Sequence, residues 1–494
     1  MSLMAAFAAV QSELFVAGAE DDAWGAAHCQ QLPADERRRQ GITLTPTWLV
    51  DLMLDRVAQA GHFDTLVDPG AGSGRFCIAA AKRFPAARIL AVERSDAMAD
   101  VLGRTLRAEG LEGRVEVIRS DFRDAPLVLA GRTAFVGNPP FVRHHDIEPV
   151  WKQWYAQRME RLGQSASQLA GLHLHFLARA AELMRAGDHL CFVTSAEWLD
   201  NGYGSAWRQL LSRDTAALQL RGLWVADPKA PVFPEALVSA VVFEAAHSSG
   251  RQKVEVGQLA KTGLQTVRAL THDALNAEGR WTPLCQQDLA IPTSGIDLGE
   301  LFKVTRGQVT GLNEAWVLPM ASDALPPGLT MAAVTRAREI IDGTVDAPDA
   351  LTRLRRVVSL PADLSGLADA TRARVDRFLA VARARGAADG YVAKQRRAWH
   401  ALDLRAPPAA MVSYMGRRPP VFRANPHAVS YLNIAHGLYP RQPVSADTLA
   451  SILSFLNTTT TMGAGRMYGG GLAKFEPSDI SRLRVPVSVL EGQP

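Results

Sequence analysis

The chain has 494 residues, of which 47% are hydrophobic and 21% charged, with 54 Lys plus Arg against 50 Asp plus Glu, a net charge of +4. At about three times a typical domain of roughly 150 residues, this length calls for two or three domains with substantial cores. It excludes a peptide, a coiled coil or a small stapled module. The composition is that of a soluble globular protein, and the near-balanced charge argues neither for nor against a polyanionic partner. Cys29, Cys77, Cys191 and Cys285 are far apart and form no CxxC, which suggests neither a zinc site nor a disulfide framework and fits a reducing compartment. The opening MSLMAAFAAVQSELF lacks the basic region of a signal peptide. No apolar run approaches the ~20 residues of a membrane span, so a cytoplasmic location is expected.

Residues 1–36 carry no functional motif and read as an N-terminal extension. From about 41 to 246 the runs TLVD, RILAVE, RVEVIRS, TAFVGN, HLCFVTS, GLWVAD and SAVVFEA alternate with helical patterns at 75–84, 95–109, 171–186 and 202–212. This alternation predicts a doubly wound α/β domain with a mostly parallel sheet, each strand followed by its helix. Ligands of such sheets gather outside the carboxyl ends of the strands. The rhythm is lost past 250. Residues 331–385 read as helical and Ala/Arg-rich before a Pro-, Gly- and aromatic-rich stretch, and residues 331–445 hold 18 Lys plus Arg against 9 Asp plus Glu. The basic charge is concentrated there. Residues 37–250 are therefore expected to form a catalytic domain and 251–494 an α+β recognition domain.

The first site motif is Asp68-Pro69-Gly70-Ala71-Gly72-Ser73-Gly74, a strand end that turns through three glycines into a helix. Glycine permits close ligand approach and a helix start offers unpaired N–H groups. The spacing fails the nicotinamide fingerprint, whose third glycine falls one position later than Gly74. A mononucleotide-like or adenosyl cofactor remains. The second strand ends at Glu93, where a carboxylate can accept two ribose hydroxyls, and the third at Asp121-Phe122, suited to an adenine amino group and ring face. Three acidic strand ends in series resemble the S-adenosylmethionine site of class I methyltransferases. That resemblance implies S-adenosyl-L-methionine as cofactor, with Asp68 near its methionine end, Glu93 at the ribose and Asp121 at the adenine.

The fourth strand ends in Asn138-Pro139-Pro140-Phe141. The prolines stiffen the backbone and leave carbonyls free to accept. A conjugated exocyclic amine is a poor nucleophile. If the Asn138 oxygen and the Pro139 carbonyl each take one of its hydrogens, its lone pair is released for methyl transfer while Phe141 stacks on the ring. No Cys follows a Pro, so the nucleophile of cytosine C5 methyltransferases is missing. The tetrapeptide alone also suits enzymes that methylate a protein glutamine amide or guanine N2 in ribosomal RNA.

Further segments narrow the choice. Gly41 to Thr45-Pro46, Gly187–Leu199 and Val232-Phe233-Pro234 resemble elements of the gamma-group DNA adenine-N6 methyltransferases, as do Gly307–Trp316, Arg417-Arg418-Pro419 with Asn433–Leu438, and Lys474–Ile480. The likeness spans roughly residues 37–488. It departs at Phe141, where Tyr is also common, and at Trp316, where Phe is usual. It implies a restriction–modification methylase in which Thr45 and Pro46 join the cofactor site and Phe141 and Phe233 clamp a flipped-out adenine. Its C-terminal domain would read double-stranded DNA, with Arg417, Arg418 and Arg423 as candidates. No metal is implied. Only about forty residues precede Gly41 and no PD with a following ExK is found, so cleavage by the same chain is not expected. A separately encoded restriction endonuclease is a compatible partner. The alternatives are cytosine N4 in DNA, an RNA or protein-amide substrate, and a DNA-binding protein without catalysis.

Overall fold

The computed structural model describes residues 22–213, 218–227, 230–233, 239–248, 252–277, 279–286, 295–468 and 471–490. The chain divides into two compact units, Met1–Leu289 with Tyr468–Gly471, and Ala290–Met467 with Leu472–Pro494.

In chain order the first unit contains helices α1 (Ala23–Gln31), α2 (Ala34–Gln40) and α3 (Thr47–Gln59), then β1 (Thr65–Pro69), α4 (Arg75–Arg83), β2 (Arg88–Glu93), α5 (Asp96–Ala108), β3 (Val115–Arg119) and β4 (Thr133–Gly137). There follow α6 (Pro149–Arg161), α7 (Leu172–Leu183), β5 (His189–Ser195), α8 (Ser205–Leu211), β6 (Leu218–Ala226), β7 (Ala240–His247), β8 (Val254–Ala260) and β9 (Gly263–Leu270). The strands form one sheet in the order β3-β2-β1-β4-β5-β7-β6-β8-β9. β1 pairs parallel with β2 and β4, β2 with β3, and β4 with β5, whereas β7 lies antiparallel between β5 and β6.

The alternation of side chains along a strand explains why these runs are apolar throughout. Val67, Leu90 and Phe135 face one core, shared with Tyr155 of α6 and Phe176 of α7. Their neighbours Leu66, Ile89 and Ala134 face the other, shared with Leu49 and Met53 of α3 and Phe76 of α4. Strand order reverses between β1 and β4, so a crevice opens outside their carboxyl ends, where Asp68 and Asn138 stand.

The expected domain boundary at 250 needs correction. β8 pairs parallel with β6 and β9 antiparallel with β8, so the catalytic sheet continues past it. These outer strands are only partly buried, which is why their sequences lack the apolar rhythm. Nor does a helix follow every strand, because residues 120–132 join β3 to β4 without one.

The second unit is α+β. Phe302–Arg306, Ala435–Pro440, Ala410–Ser413 and Phe422–Ala424 form an antiparallel sheet, covered by the helix Ala446–Thr459 through Ile452, Leu453 and Leu456. The helical reading of 331–385 holds only for Asp369–Ala384 as a long helix. Thr330–Val334 and Arg356–Val358 are paired strands instead, drawn into a sheet by their buried β-branched and apolar side chains. No helix among the described residues is long and apolar enough to cross a membrane.

Candidate active site

At the carboxyl ends of β1, β2, β3 and β4 lies a cavity with about 940 Å³ of empty space, partly open to solvent. Gly70–Ser73, Glu93–Ser95, Ser120–Phe122 and Asn138 line it, with Phe176 of α7 and residues 40–45 completing the wall. The loop after β1 takes its shape from glycines in the left-handed region, Gly70 at φ +84°, Gly72 at +57° and Gly74 at +102°. Gly74 is doubly constrained, since a Cβ there would stand 2.3 Å from Leu102 Cδ1.

Glu93 is held in the cavity wall by two backbone amides. One carboxylate oxygen accepts from Gly72 N at 2.8 Å and the other from Ser95 N at 2.7 Å. Burial raises its pKa against those two amide bonds. Each oxygen keeps a lone pair for a hydroxyl. Asp121 also lines the cavity, but Arg123 binds both its oxygens, at 2.9 and 2.6 Å, with the guanidinium stacked 3.7 Å from the Trp151 ring centre. Burial pushes the Asp121 pKa up, yet the Arg123 bonds and charge outweigh it and hold the pKa below the ordinary carboxylate value.

Three expected cofactor residues, Asp68, Pro46 and Gly74, stand outside the cavity wall, and Phe122 lines it with its ring packed inward. Asp68 is 2% exposed and does not line the cavity. Its Oδ2 accepts from Cys77 N at the start of α4, and its Oδ1 has no partner. Burial, with the nearby charge of Glu93, pushes its pKa up to about 8 although the Cys77 amide opposes this. Phe122 turns its ring into the core against Phe135 and Phe176, leaving it 1% exposed. Pro46 is not in the cavity wall; its carbonyl accepts from Leu49 N and Val50 N at the start of α3. Gly74 lies outside the wall as well.

Asn138 follows β4 directly. Its Nδ2 donates to Thr45 Oγ1 at 3.1 Å and to the Thr43 carbonyl at 3.4 Å, which leaves Oδ1 buried without a partner. Among the described residues the Pro139 carbonyl receives no internal hydrogen bond. Two successive residues therefore each carry an acceptor without an internal partner. Gly41, at φ +69°, lets the preceding segment reach them, because a Cβ there would lie 2.8 Å from Phe141 N. Phe141 and Phe233 do not stand apart as a clamp. Their rings meet edge to face, with centroids 5.7 Å apart and planes at 81°, and Phe233 is 1% exposed. Pro234, part of the same expected element, lies outside the described residues.

Of the candidate DNA-reading residues, Arg417 and Arg418 are exposed. Arg423 is engaged within its own unit, donating to the Ile340 carbonyl at 3.2 Å and facing Asp346 at 3.6 Å. Sequence reasoning missed Asp22, Thr43, Ser73, Arg75 and Phe176. Asp22 belongs to no pattern that the sequence displays, Ser73 sits in the glycine loop without a role of its own there, and Arg75 reads as an ordinary helix residue.

The fold and the cavity define a methyltransferase whose residues fit an adenosyl methyl donor, with a glycine loop and the Glu93 carboxylate on the cavity wall. Similarity to known proteins narrows this. The family model for the C-terminal domain of the type II methyltransferase M.Eco57I matches residues 288–493. That for the Eco57I restriction-modification methylase matches 133–222, and a general methyltransferase domain matches 66–157. The type II methyltransferase M.XamI of Xanthomonas campestris pv. amaranthicola is 41% identical over 453 residues, 91% of this chain and 85% of the relative. M.AccI of Acinetobacter calcoaceticus is 21% identical over 381 residues, 72% of this chain and 69% of its own. The chain belongs to the type II methyltransferases of restriction–modification systems. Its fold is shared with the type IIL restriction-modification enzyme MmeI, solved in complex with DNA, at a TM-score of 0.55 and 12% identity over 95% of this chain and 70% of that one.

Proposed function

We propose that the protein transfers a methyl group from S-adenosyl-L-methionine to N6 of an adenine in a short duplex DNA site, as the cytoplasmic modification component of a restriction–modification system. The observation that carries this is the buried, partnerless Asn138 Oδ1, followed in sequence by a Pro139 carbonyl that is also without an internal partner. Two acceptors and no donor match an NH₂ group with two hydrogens to give. When both hydrogens are held, the amine nitrogen is drawn out of conjugation with its ring and its lone pair becomes available. S-adenosylmethionine, when bound, supplies an electrophilic methyl group on sulfur. Glu93 would hold its ribose and Asp121 its adenine, the latter sharing its carboxylate with Arg123. As the nitrogen bonded to the methyl carbon, the carbon's bond to sulfur would break with its electron pair left on sulfur, and the nitrogen would release one of its two held hydrogens to solvent as a proton.

An adenine inside a duplex is out of reach of this pocket, so the base must be flipped out, at about a few kcal/mol for unpairing and unstacking. Stacking on the half-buried Phe141 returns part of that cost. The second unit, with its excess of arginine, would neutralise phosphates and read the groove. A protein-amide or RNA substrate leaves residues 288–493 without a role, although they match a type II methyltransferase domain. Cytosine N4 presents the same two hydrogens and is the nearest competitor.

The test is long-read, modification-sensitive sequencing of DNA from a methylation-deficient host expressing the protein, beside the same host expressing Asn138→Ala. One short motif carrying N6-methyladenine only with the unaltered protein is the expected result. Methylation at cytosine N4 would correct the base, and an unmodified genome would direct the search to RNA or protein.

A further inference from the structure

Residues 22–31, which the sequence leaves without a function, bind the glycine loop directly. Asp22 is 4% exposed, and its Oδ2 accepts from Ser73 Oγ at 2.5 Å and from Arg75 Nε at 2.8 Å. Its Oδ1 accepts from Gly25 N at 2.9 Å, which caps α1. Helix α1 lies so close to the loop that a Cβ on Gly25 would stand 2.6 Å from Ser73 Cβ. On its outer side Trp24 packs beneath the guanidinium of Arg104, 5.1 Å from the ring centre, which anchors α1 to α5.

The bonds do not stop at the loop. Arg75 is 11% exposed at its side chain, and its Nη1 donates to the Thr45 carbonyl at 2.7 Å. Thr45 in turn accepts from Asn138 Nδ2 through its hydroxyl. A continuous path of four residues thus joins the N-terminal helix to the amide whose oxygen is bare. Ser73, Arg75, Thr45 and Asn138 all line the same cavity.

We propose that Asp22 and Arg75 are positioning residues for methyl transfer, fixing the glycine loop and, through Thr45, the orientation of Asn138. The inference rests on Asn138 being the group that orients the target amine. Asp22 does not itself line the cavity and does not touch Asn138, so its effect on the amide passes through Arg75 and Thr45. The planar guanidinium of Arg75 suits this task, because it holds Asp22 through Nε and the Thr45 carbonyl through Nη1 in one rigid fork, which fixes direction as well as distance. Adding a methyl group at position 25 would disturb the same contact without removing any polar group.

The test compares Asp22→Asn, Gly25→Ala, Thr45→Val and the Asp22→Asn/Thr45→Val pair, with Asn138→Ala as control. Single-turnover methylation is measured at saturating S-adenosylmethionine and duplex, cofactor Kd by calorimetry, and amide hydrogen exchange at residues 42–45 and 72–76. Asp22→Asn and Gly25→Ala are each expected to slow single turnover about tenfold, to weaken the cofactor, and to speed exchange in both segments. Asp22→Asn is expected to add little once Thr45 is Val, since both act on Asn138. Lowered thermal stability with unchanged single-turnover rate and exchange in the folded protein would reduce Asp22 to scaffold and overturn the proposal. So would independent, multiplicative effects in the pair. Near-normal transfer by Asn138→Ala would instead remove the reading on which the proposal rests, whatever Asp22 does.

Discussion

The Asn138 amide nitrogen and the Thr45 hydroxyl lie 3.1 Å apart, and the nitrogen is the donor. The neighbouring Thr43 carbonyl can only accept, so the NH₂ end must face these two threonines and the oxygen must face away from them. Asn138→Ala removes an acceptor needed in the transition state, so cofactor binding should persist while methyl transfer is lost. Thr45→Val should cost about 1 kcal/mol of orientation, a five- to tenfold slower single turnover, and Thr45→Ser should restore it. Equal rates for Val and Ser would show that the hydroxyl does not steer the amide.

Asp68 gives the protein a built-in pH dependence of stability. Its carboxyl is pushed up to about 8 in the fold, by burial first and by the charge of Glu93, from an ordinary value of 3.8. The folded state therefore binds a proton more tightly than the unfolded chain, and stability falls as pH rises between those values. Below pH 4 the carboxyl is protonated in both states and contributes no difference; above about pH 8 the full penalty applies. Asp68→Asn keeps an acceptor for the Cys77 amide without the charge. It should gain on the unaltered protein in thermal melts as pH rises from 4 to 8, and curves that run parallel over this range would rule out a desolvated Asp68.

Much of this arrangement was legible in the sequence, and the exceptions have physical causes. Strands β1, β2, β4 and β5 are buried on both faces over most of their length, which demands continuous apolar runs of the kind that sequence displays. Asn138 and Glu93 are strand-end residues in a fold that gathers ligands at strand ends. The direction of a ring is another matter. A sequence places Phe122 beside the cofactor loop, but packing against Phe135 and Phe176 decides that it points inward. Asp22 meets Ser73 across 51 residues, a contact made by tertiary folding, with no local period to betray it.

The edge-to-face contact of Phe141 and Phe233 bears on how a base is received. A base held between two rings needs them parallel and two stacking distances apart, so one ring must swing before such a sandwich forms. Phe233 is the core member. Its replacement by Ala should cost ~3–5 kcal/mol of stability, whereas Phe141, half-exposed, should cost far less. Phe141→Ala should slow transfer by roughly 10–100-fold, the equivalent of ~1–3 kcal/mol of base stacking, with cofactor affinity unchanged. Phe141→Tyr should retain activity. Wild-type turnover in Phe141→Ala would exclude stacking on this ring.

Arg418 and Arg423 are five residues apart in sequence yet make opposite predictions. Arg418 is exposed, in the basic stretch proposed to meet the duplex. If it contacts a phosphate, Arg418→Ala should weaken binding to cognate and unrelated duplexes alike. The slope of log affinity against log salt should then fall by about one, with melting unchanged. If it contacts a guanine edge, the loss should be confined to the cognate site, at about 1–3 kcal/mol. Arg423 already donates to the Ile340 carbonyl and faces Asp346, so its guanidinium is committed to holding the short helix Arg338–Ile341. Arg423→Ala should therefore lower the melting temperature and leave the salt slope where it was. A salt slope that shifts for Arg423→Ala but not for Arg418→Ala would reverse the two assignments and move the proposed duplex contact to the other side of this strand.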